Sequence, residues 1–141
     1  MSKILLGYDG SAEAKRAAWK AAELAAFRGA TLVVAQIVSP VFVPGEMSIL
    51  AASELAERQL LDAGREVGEL TRDLAATGAR LDGAVIRGGP APELLRIAED
   101  DADVELVVVG RSGKGAIARA LLGSVSSRLA HACVKPVLIV P

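Results

Sequence analysis

Residues 105–126 read ELVVVGRSGKGAIARALLGSVS. The segment opens with Glu105–Val109, whose apolar run lacks polar alternation and therefore predicts a short strand buried on both faces. Four glycines follow in the next fourteen residues, and a helical pattern begins at Ser124. A buried strand, a glycine-rich loop and a helix in this order are typical of one unit of a parallel α/β sheet.

The same alternation of strands and helices extends outward over the whole chain. Strands are predicted at Lys3–Tyr8, Thr31–Val38, Arg80–Ile86, Glu105–Val109 and Pro136–Val140, and helices from Ser11 to Gly29, from Ser48 to about Thr77, over Glu93–Asp100 and over Ser124–Ala132. The run from Gly88 to Pro92 is interpreted as a turn that leads into the third helix. Right-handed crossovers between such strands imply a parallel sheet. We therefore predict one α/β domain over residues 1–141, an open, Rossmann-like, five-stranded parallel sheet in the order 3-2-1-4-5 with helices on both faces.

The predicted topology selects a ligand site without any motif. In open sheets of this kind, ligands bind beyond the carboxyl ends of the strands, where the strand order reverses. With the first strand central, that point lies beside Asp9 and Gly110.

Charged residues are distributed unevenly along the chain. Residues 106–141 hold five of the 16 basic residues and none of the 17 acidic ones, whereas the rest of the chain holds 11 basic and 17 acidic residues. This asymmetry favours an anionic ligand.

The residues after the fourth predicted strand suit a phosphate group. Glycine lets backbone N–H groups approach phosphate oxygens closely, and a helix start at Ser124 presents unpaired N–H groups to an anion. The hydroxyls of Ser124 and Ser126 add further donors. Arg111 and Lys114 are either phosphate contacts or solvated loop charges. The alternative is an ordinary loop in which Ser124 only caps the last helix.

Two better-known phosphate motifs do not fit this loop. The chain has no G-x-x-x-x-G-K-[ST] segment, so it is not a Walker-type NTPase. Gly113, Gly115 and Ala118 match the dinucleotide pattern, but no acidic residue follows Glu105 to hold a ribose.

The sequence resembles the universal stress protein family over essentially its whole length. The ATP-binding branch of that family carries G, two residues, G, nine residues, then G and Ser or Thr, and Gly110, Gly113, Gly123 and Ser124 match this spacing. The segment ILLGYDGS at residues 4–11 resembles the family's start. The segments LGSVS and KPVLIV near the end of the chain resemble its end.

The resemblance implies roles for ten residues. Those implied to contact the phosphates and ribose are Gly113, Gly123, Ser124, Val125 and Ser126. Gly110 would let the chain turn against the nucleotide, and Asp9 would face the adenine or the sugar, although Asp9 also suits a cap of the turn before the first helix. The residues implied to line the base pocket are Gly7, Ile37 and Val109.

The function that follows is that of an ATP-binding universal stress protein, a nucleotide-dependent regulatory or stress-response protein that uses ATP, with or without Mg²⁺. Asp9 is the one acid that we place near the phosphates, whereas rapid phosphoryl transfer needs metal ligands and a group that orients the nucleophile. We therefore expect at most a slow ATPase. A slow ATPase or phosphotransferase, and a binder of AMP or cyclic AMP, remain open alternatives.

Composition and the last strand guide the prediction of compartment and partners. A single cysteine permits no internal disulfide, no apolar run is long enough for a signal peptide or membrane span, and the net charge is −1. We expect a cytoplasmic protein that binds an adenine nucleotide and an unknown regulatory protein, but neither nucleic acid nor membrane. Residues 137–140 are apolar throughout and form a predicted edge strand, so we also expect a homodimer through that strand.

Overall fold

The computed structural model describes residues 1–40, 48–111 and 122–141. Its elements, in chain order, are β1 (Lys3–Tyr8), α1 (Ala12–Arg28), β2 (Thr31–Val38), α2 (Ile49–Leu74) with a 3₁₀ turn (Ala75–Thr77), β3 (Arg80–Arg87), α3 (Pro90–Asp100), β4 (Val104–Gly110), α4 (Ser124–Ala132) and β5 (Val137–Val140). All neighbouring strands pair in parallel, and the sheet order is β3-β2-β1-β4-β5. The predicted α/β fold and its strand order are confirmed.

Helices cover both faces of the sheet, and two separate apolar cores result. One core packs α1 and α2 against side chains such as Ile4, Leu6 and Val108. The other core packs α3 and α4 against side chains that include Leu5 and Val107. Because successive side chains of a strand point to opposite faces, β1 and β4 contribute to both cores, which explains their continuous apolar runs.

Helix α1 lies close to the sheet because its buried face consists of alanine. The buried members of that face are Ala14, Ala17, Ala18, Ala21, Ala22 and Ala25. The helix begins where the Ser11 hydroxyl accepts a hydrogen bond from the Ala14 N–H at 3.1 Å, and it ends at Gly29, whose φ is 67°. Both ends were predicted from the sequence, since serine caps helix starts and glycine adopts the left-handed conformation.

The start of α3 corrects the prediction. The segment from Gly88 to Pro92 was expected to be a turn that precedes a helix at Glu93, but the helix begins at Pro90. Proline has a fixed φ that suits the first helical turn, and its missing N–H is not needed there. The correction matters because it moves the start of α3 to the edge of the sheet where ligands bind.

The helices in the described ranges include none with the length and apolar character required to cross a membrane.

Candidate functional site

A cavity of about 460 Å³ lies beyond the carboxyl ends of β1 and β4. Its lining combines the ends of these strands with the first turns of α3 and α4. Nine of the ten residues that the sequence singled out line it, namely Gly7, Asp9, Ile37, Val109, Gly110, Gly123, Ser124, Val125 and Ser126. The tenth, Gly113, lies outside the described residues. The structure therefore brings the described candidates together around one cavity.

The floor of the cavity is apolar. Ala35, Leu94 and Val109 are buried there, and Ile37 is partly buried. A Cβ added to Gly7 would lie 2.7 Å from Leu94 Cδ1 and 3.1 Å from Val109 Cγ1. Because Gly7 has no side chain, Leu94 can pack against β1 at this point. A larger side chain at position 7 would push Leu94 out of its present packing. A flat, uncharged ligand group, such as a heteroaromatic ring, suits a floor of this kind.

Asp9 shapes the turn between β1 and α1. Its Oδ1 accepts a hydrogen bond from the Ser11 N–H at 2.9 Å, and Gly10 has a φ of 80°. The predicted capping role of Asp9 is therefore present. The Asp9 side chain is also exposed at the cavity, so its contact with a ligand stays a prediction that the capping role does not oppose.

Gly110 is needed for a close contact between β4 and α1. A Cβ on Gly110 would lie 2.9 Å from Glu13 Cβ and 3.0 Å from Ala14 N. Its φ is not in the positive region, so the requirement is for space and not for an unusual conformation. This steric reason was not foreseen from the sequence, which assigned Gly110 to a turn against the nucleotide.

The first turn of α4 forms the polar end of the cavity. Gly123 precedes the helix in an extended conformation, with φ −68° and ψ 168°, and no side chain of the described residues caps the helix start. The Ser127 N–H donates to the Gly123 carbonyl, so the N–H groups of residues 124–126 precede the first hydrogen bond of the helix. These groups and the helix dipole favour an anion at this point.

The two serines of this turn differ in their surroundings. Ser124 is exposed and lines the cavity. Ser126 is 1% exposed, and its hydroxyl donates to the Arg111 carbonyl at 2.5 Å, with the Gly123 carbonyl at 3.2 Å. The Gly123 N–H also donates to the Arg111 carbonyl, at 2.8 Å. Ser126 therefore joins the end of β4 to the start of α4. Because its hydroxyl hydrogen is already used, the hydroxyl oxygen can only accept a hydrogen bond from a ligand.

Arg111 gives the site a positive charge at its rim. The Arg111 N–H donates to the Val140 carbonyl at 2.7 Å, which extends the pairing of β4 with β5. Within the part of the chain that the structure describes, the buried Nε of Arg111 has no hydrogen-bond partner. A phosphate oxygen would supply the missing acceptor. Lys114, the other basic candidate, falls among residues 112–121, which the structure does not describe.

A family model described as "Universal stress protein family" matches residues 1–141 of this chain. The chain belongs to the universal stress protein family. A universal stress protein of Thermus aquaticus, named for its position in the QAH/OAS sulfhydrylase 3′ region, is 36% identical over 138 residues, which are 97% of this chain and 96% of that protein. A universal stress protein of Mycobacterium tuberculosis is 33% identical over 153 residues, which are 98% of this chain but 47% of that longer protein.

Solved structures of universal stress proteins share the fold. The UspA protein of Lactobacillus plantarum superposes with a TM-score of 0.87, at 22% identity, over 99% of this chain and 97% of that one. A universal stress protein crystallised in complex with cAMP superposes with a TM-score of 0.75, at 26% identity, over 99% of this chain and 97% of that one.

Sequence reasoning missed the contribution of α3 to the cavity. Pro90 and Leu94 line it, and neither was among the candidates. The signal that would have found them was the run from Gly88 to Pro92, which lies at the ligand edge of the sheet but was interpreted as a simple turn. Recognising proline at the first helical position would have placed Leu94 one turn into a helix that faces the site.

Proposed function

We propose that this universal stress protein binds an adenine nucleotide, with ATP as the preferred ligand, and acts as a nucleotide-dependent regulatory protein of a stress response in the cytoplasm. The observation that carries the proposal is the cavity itself, whose lining combines an apolar floor with the N-terminus of α4. An adenine ring suits the floor, and phosphate oxygens suit the helix N–H groups. The related protein that was crystallised with cAMP supports an adenine nucleotide as the ligand class.

The choice of ATP rests on the glycine spacing and on positive charge near the polar end. Gly110, Gly123 and Ser124 line the cavity, and Arg111 lies beside them. Mg²⁺ would accompany the phosphates in the usual way, held mainly by phosphate oxygens and water. Asp9 is the one carboxylate among the described lining residues, and its Oδ1 is already hydrogen-bonded to the backbone. This set of groups suits retention of a nucleotide more than rapid phosphoryl transfer.

Binding is tested by the thermal stability of the purified chain. Ligand that binds the folded state at 100 times its Kd adds about 2.7 kcal/mol, which for a chain of this size raises Tm by roughly 8 °C. We expect such a shift with Mg-ATP and a smaller one with Mg-GTP, which has the same phosphates but a different base. AMP and cyclic AMP in the same assay rank the adenine nucleotides. The absence of any shift with all three adenine nucleotides, together with no heat in calorimetry, would contradict the proposal.

We further propose that two copies pair through β5. Among the strands that the structure describes, β5 lies at the edge of the sheet and pairs with β4 alone. The carbonyls of Pro136 and Val140 accept hydrogen bonds from the N–H groups of Val107 and Arg111. Because backbone groups alternate in direction along a strand, those of Val137 and Ile139 point away from β4. An edge of this kind pairs readily with a second chain, and a two-fold axis makes the contact self-complementary.

The dimer is tested with two substitutions at one position. Ile139→Pro and Ile139→Ala both remove the isoleucine side chain. Only the proline variant also removes the N–H group of residue 139, which points away from β4, so the hydrogen bonds between β5 and β4 are kept in both variants. In sedimentation at micromolar concentration we expect a dimer for the unmodified chain and for Ile139→Ala, and a monomer for Ile139→Pro. A single species of monomer mass for the unmodified chain would rule out the pairing.

A further inference from the structure

A second cavity lies on the opposite face of the sheet, between α1 and α2. Its volume is about 330 Å³. We call it the α1–α2 cleft and define it by Tyr8, Lys15, Trp19, Glu66, Glu69 and Asp73. The side chain of Tyr8 belongs to the core that α1 and α2 cover, whereas the floor of the nucleotide cavity belongs to the core of α3 and α4. The two cavities therefore lie mainly on opposite faces of the sheet, and they meet at Tyr8, which lines both.

The α2 side of the cleft is acidic. Glu66, Glu69 and Asp73 stand at helical spacing, so their carboxylates share one face of α2. Lys15, on α1, is the basic residue among the cleft residues that the structure describes, which leaves a net charge of −2. Outside the cleft, Arg65 Nε approaches Glu69 Oε1 at 3.9 Å. For Asp73, no ion pair is found within the described residues.

Tyr8 contributes a phenol ring and its hydroxyl to the cleft. The residue is 7% exposed, and its hydroxyl makes no hydrogen bond within residues 1–40, 48–111 and 122–141. Burial raises the pKa of this hydroxyl above its usual value, and the nearby carboxylates, Glu66 foremost, raise the pKa further, so the phenol stays neutral. Tyr8 lines the cleft together with the carboxylates of Glu66, Glu69 and Asp73.

Gln36, on β2, supports one carboxylate of the acidic face. Gln36 Nε2 donates to Glu66 Oε2 at 3.0 Å, which fixes that carboxylate from below. Gln36 Oε1 is buried and has no hydrogen-bond partner among the described residues. Among the cleft residues that the structure describes, three carboxylates face one ammonium group, that of Lys15, so a ligand that fits the cleft carries N–H donors and positive charge.

We propose that the α1–α2 cleft binds a linear aliphatic polyamine in its ammonium form. The carboxylates of Glu66 and Asp73 are two helical turns apart, which corresponds to about 10 Å along the axis of α2. An extended chain with ammonium groups at both ends spans a distance of this order and brings positive charge to the three carboxylates. Trp19, which is 41% exposed at the cleft, offers an aromatic face to a cation or to the methylene groups between the charges.

The spacing of the acidic groups also distinguishes a polyamine from a metal ion. Within the described part of the chain, no three acidic, histidine or cysteine side chains come close enough together to hold a metal ion. The carboxylates of the cleft are instead distributed along α2. An elongated cation can contact several of them in turn, whereas a single divalent ion cannot.

Trp19 provides a direct readout because it is the chain's single tryptophan. Spermidine is titrated at low salt into protein that has been freed of nucleotide, with fluorescence as the signal and calorimetry for the stoichiometry. We expect a saturable change with one ligand per chain. Asp73→Asn and Glu69→Gln should each weaken binding by about fivefold, the effect of removing one partly exposed charge. Tyr8→Phe, which keeps the ring, should also weaken binding.

The matched control is Glu57→Gln, which removes the same charge from an exposed position of α2 outside the cleft. It should leave the affinity unchanged. The proposal is overturned if spermidine gives no saturable response, or if Glu57→Gln weakens binding as much as Asp73→Asn does. It is also overturned if Mg²⁺ at equal ionic strength gives the same response. Because nucleotide is absent from the assay, these outcomes are independent of the proposed nucleotide function.

Discussion

Gly110→Ala is expected to lower the Tm of the nucleotide-free protein by roughly 8 °C. The new Cβ would lie 2.9 Å from Glu13 Cβ and 3.0 Å from Ala14 N, and the latter is a backbone atom of the first turn of α1. A backbone atom cannot rotate away, so α1 has to move off the sheet, where its alanine face is fully packed. Overpacking of this kind costs about 2–3 kcal/mol.

Gly64→Ala is the matched control for this measurement. Gly64 lies within α2, and a Cβ there meets no atom of the described residues within 4 Å. The same substitution should raise the free energy of unfolding by about 0.5–1 kcal/mol, because alanine favours the helix. Equal Tm values for Gly110→Ala and the unmodified chain would show that β4 and α1 are not in the close contact described.

Gly123→Asp is expected to weaken adenine nucleotide binding by at least tenfold while the fold is kept. Gly123 is in an extended conformation that any residue adopts, and it precedes α4 without capping it through a side chain. Aspartate is a favoured residue at this position, so the helix should be slightly more stable. Its carboxylate would occupy the position in which we place the phosphates and would repel them. A tenfold loss corresponds to about 1.4 kcal/mol.

Gly123→Asn separates charge from shape. Asparagine has the size of aspartate and caps helices equally well, but it carries no charge. We expect Gly123→Asn to bind ATP more tightly than Gly123→Asp in isothermal calorimetry, because only the aspartate adds electrostatic repulsion of the phosphates. If the two variants bind ATP equally, the phosphates do not lie at the start of α4.

The fold was predictable because its signals are local. Short apolar runs mark the strands, and Ser11 and Gly29 mark the two ends of α1 by their side-chain and backbone chemistry. The start of α3 was misplaced by three residues because Pro90 and Pro92 were interpreted as turn residues. Proline is equally compatible with a turn and with the first turn of a helix, and only the packing of Leu94 against the sheet decides between them.

The candidate site was predictable in its position but not in its detail. The topology alone indicates the edge beside Asp9 and Gly110. The sequence treats Ser124 and Ser126 as equivalent, whereas the structure buries Ser126 against the Arg111 carbonyl and leaves Ser124 exposed. That difference depends on how α4 meets β4, which is a tertiary contact without a local signal. The steric role of Gly110 against α1 escapes the sequence for the same reason.

The location of the nucleotide is tested most directly by an amide and methyl NMR titration of the isotopically labelled chain with Mg-ATP. Our account predicts that the largest saturable shifts occur at the amides of Ser124 and Val125 and at the methyl groups of Ile37, Leu94 and Val109. These residues represent the polar end and the apolar floor of one cavity. Shifts that are confined to another surface, or no saturable shift at these residues at millimolar ATP, would contradict the proposed site.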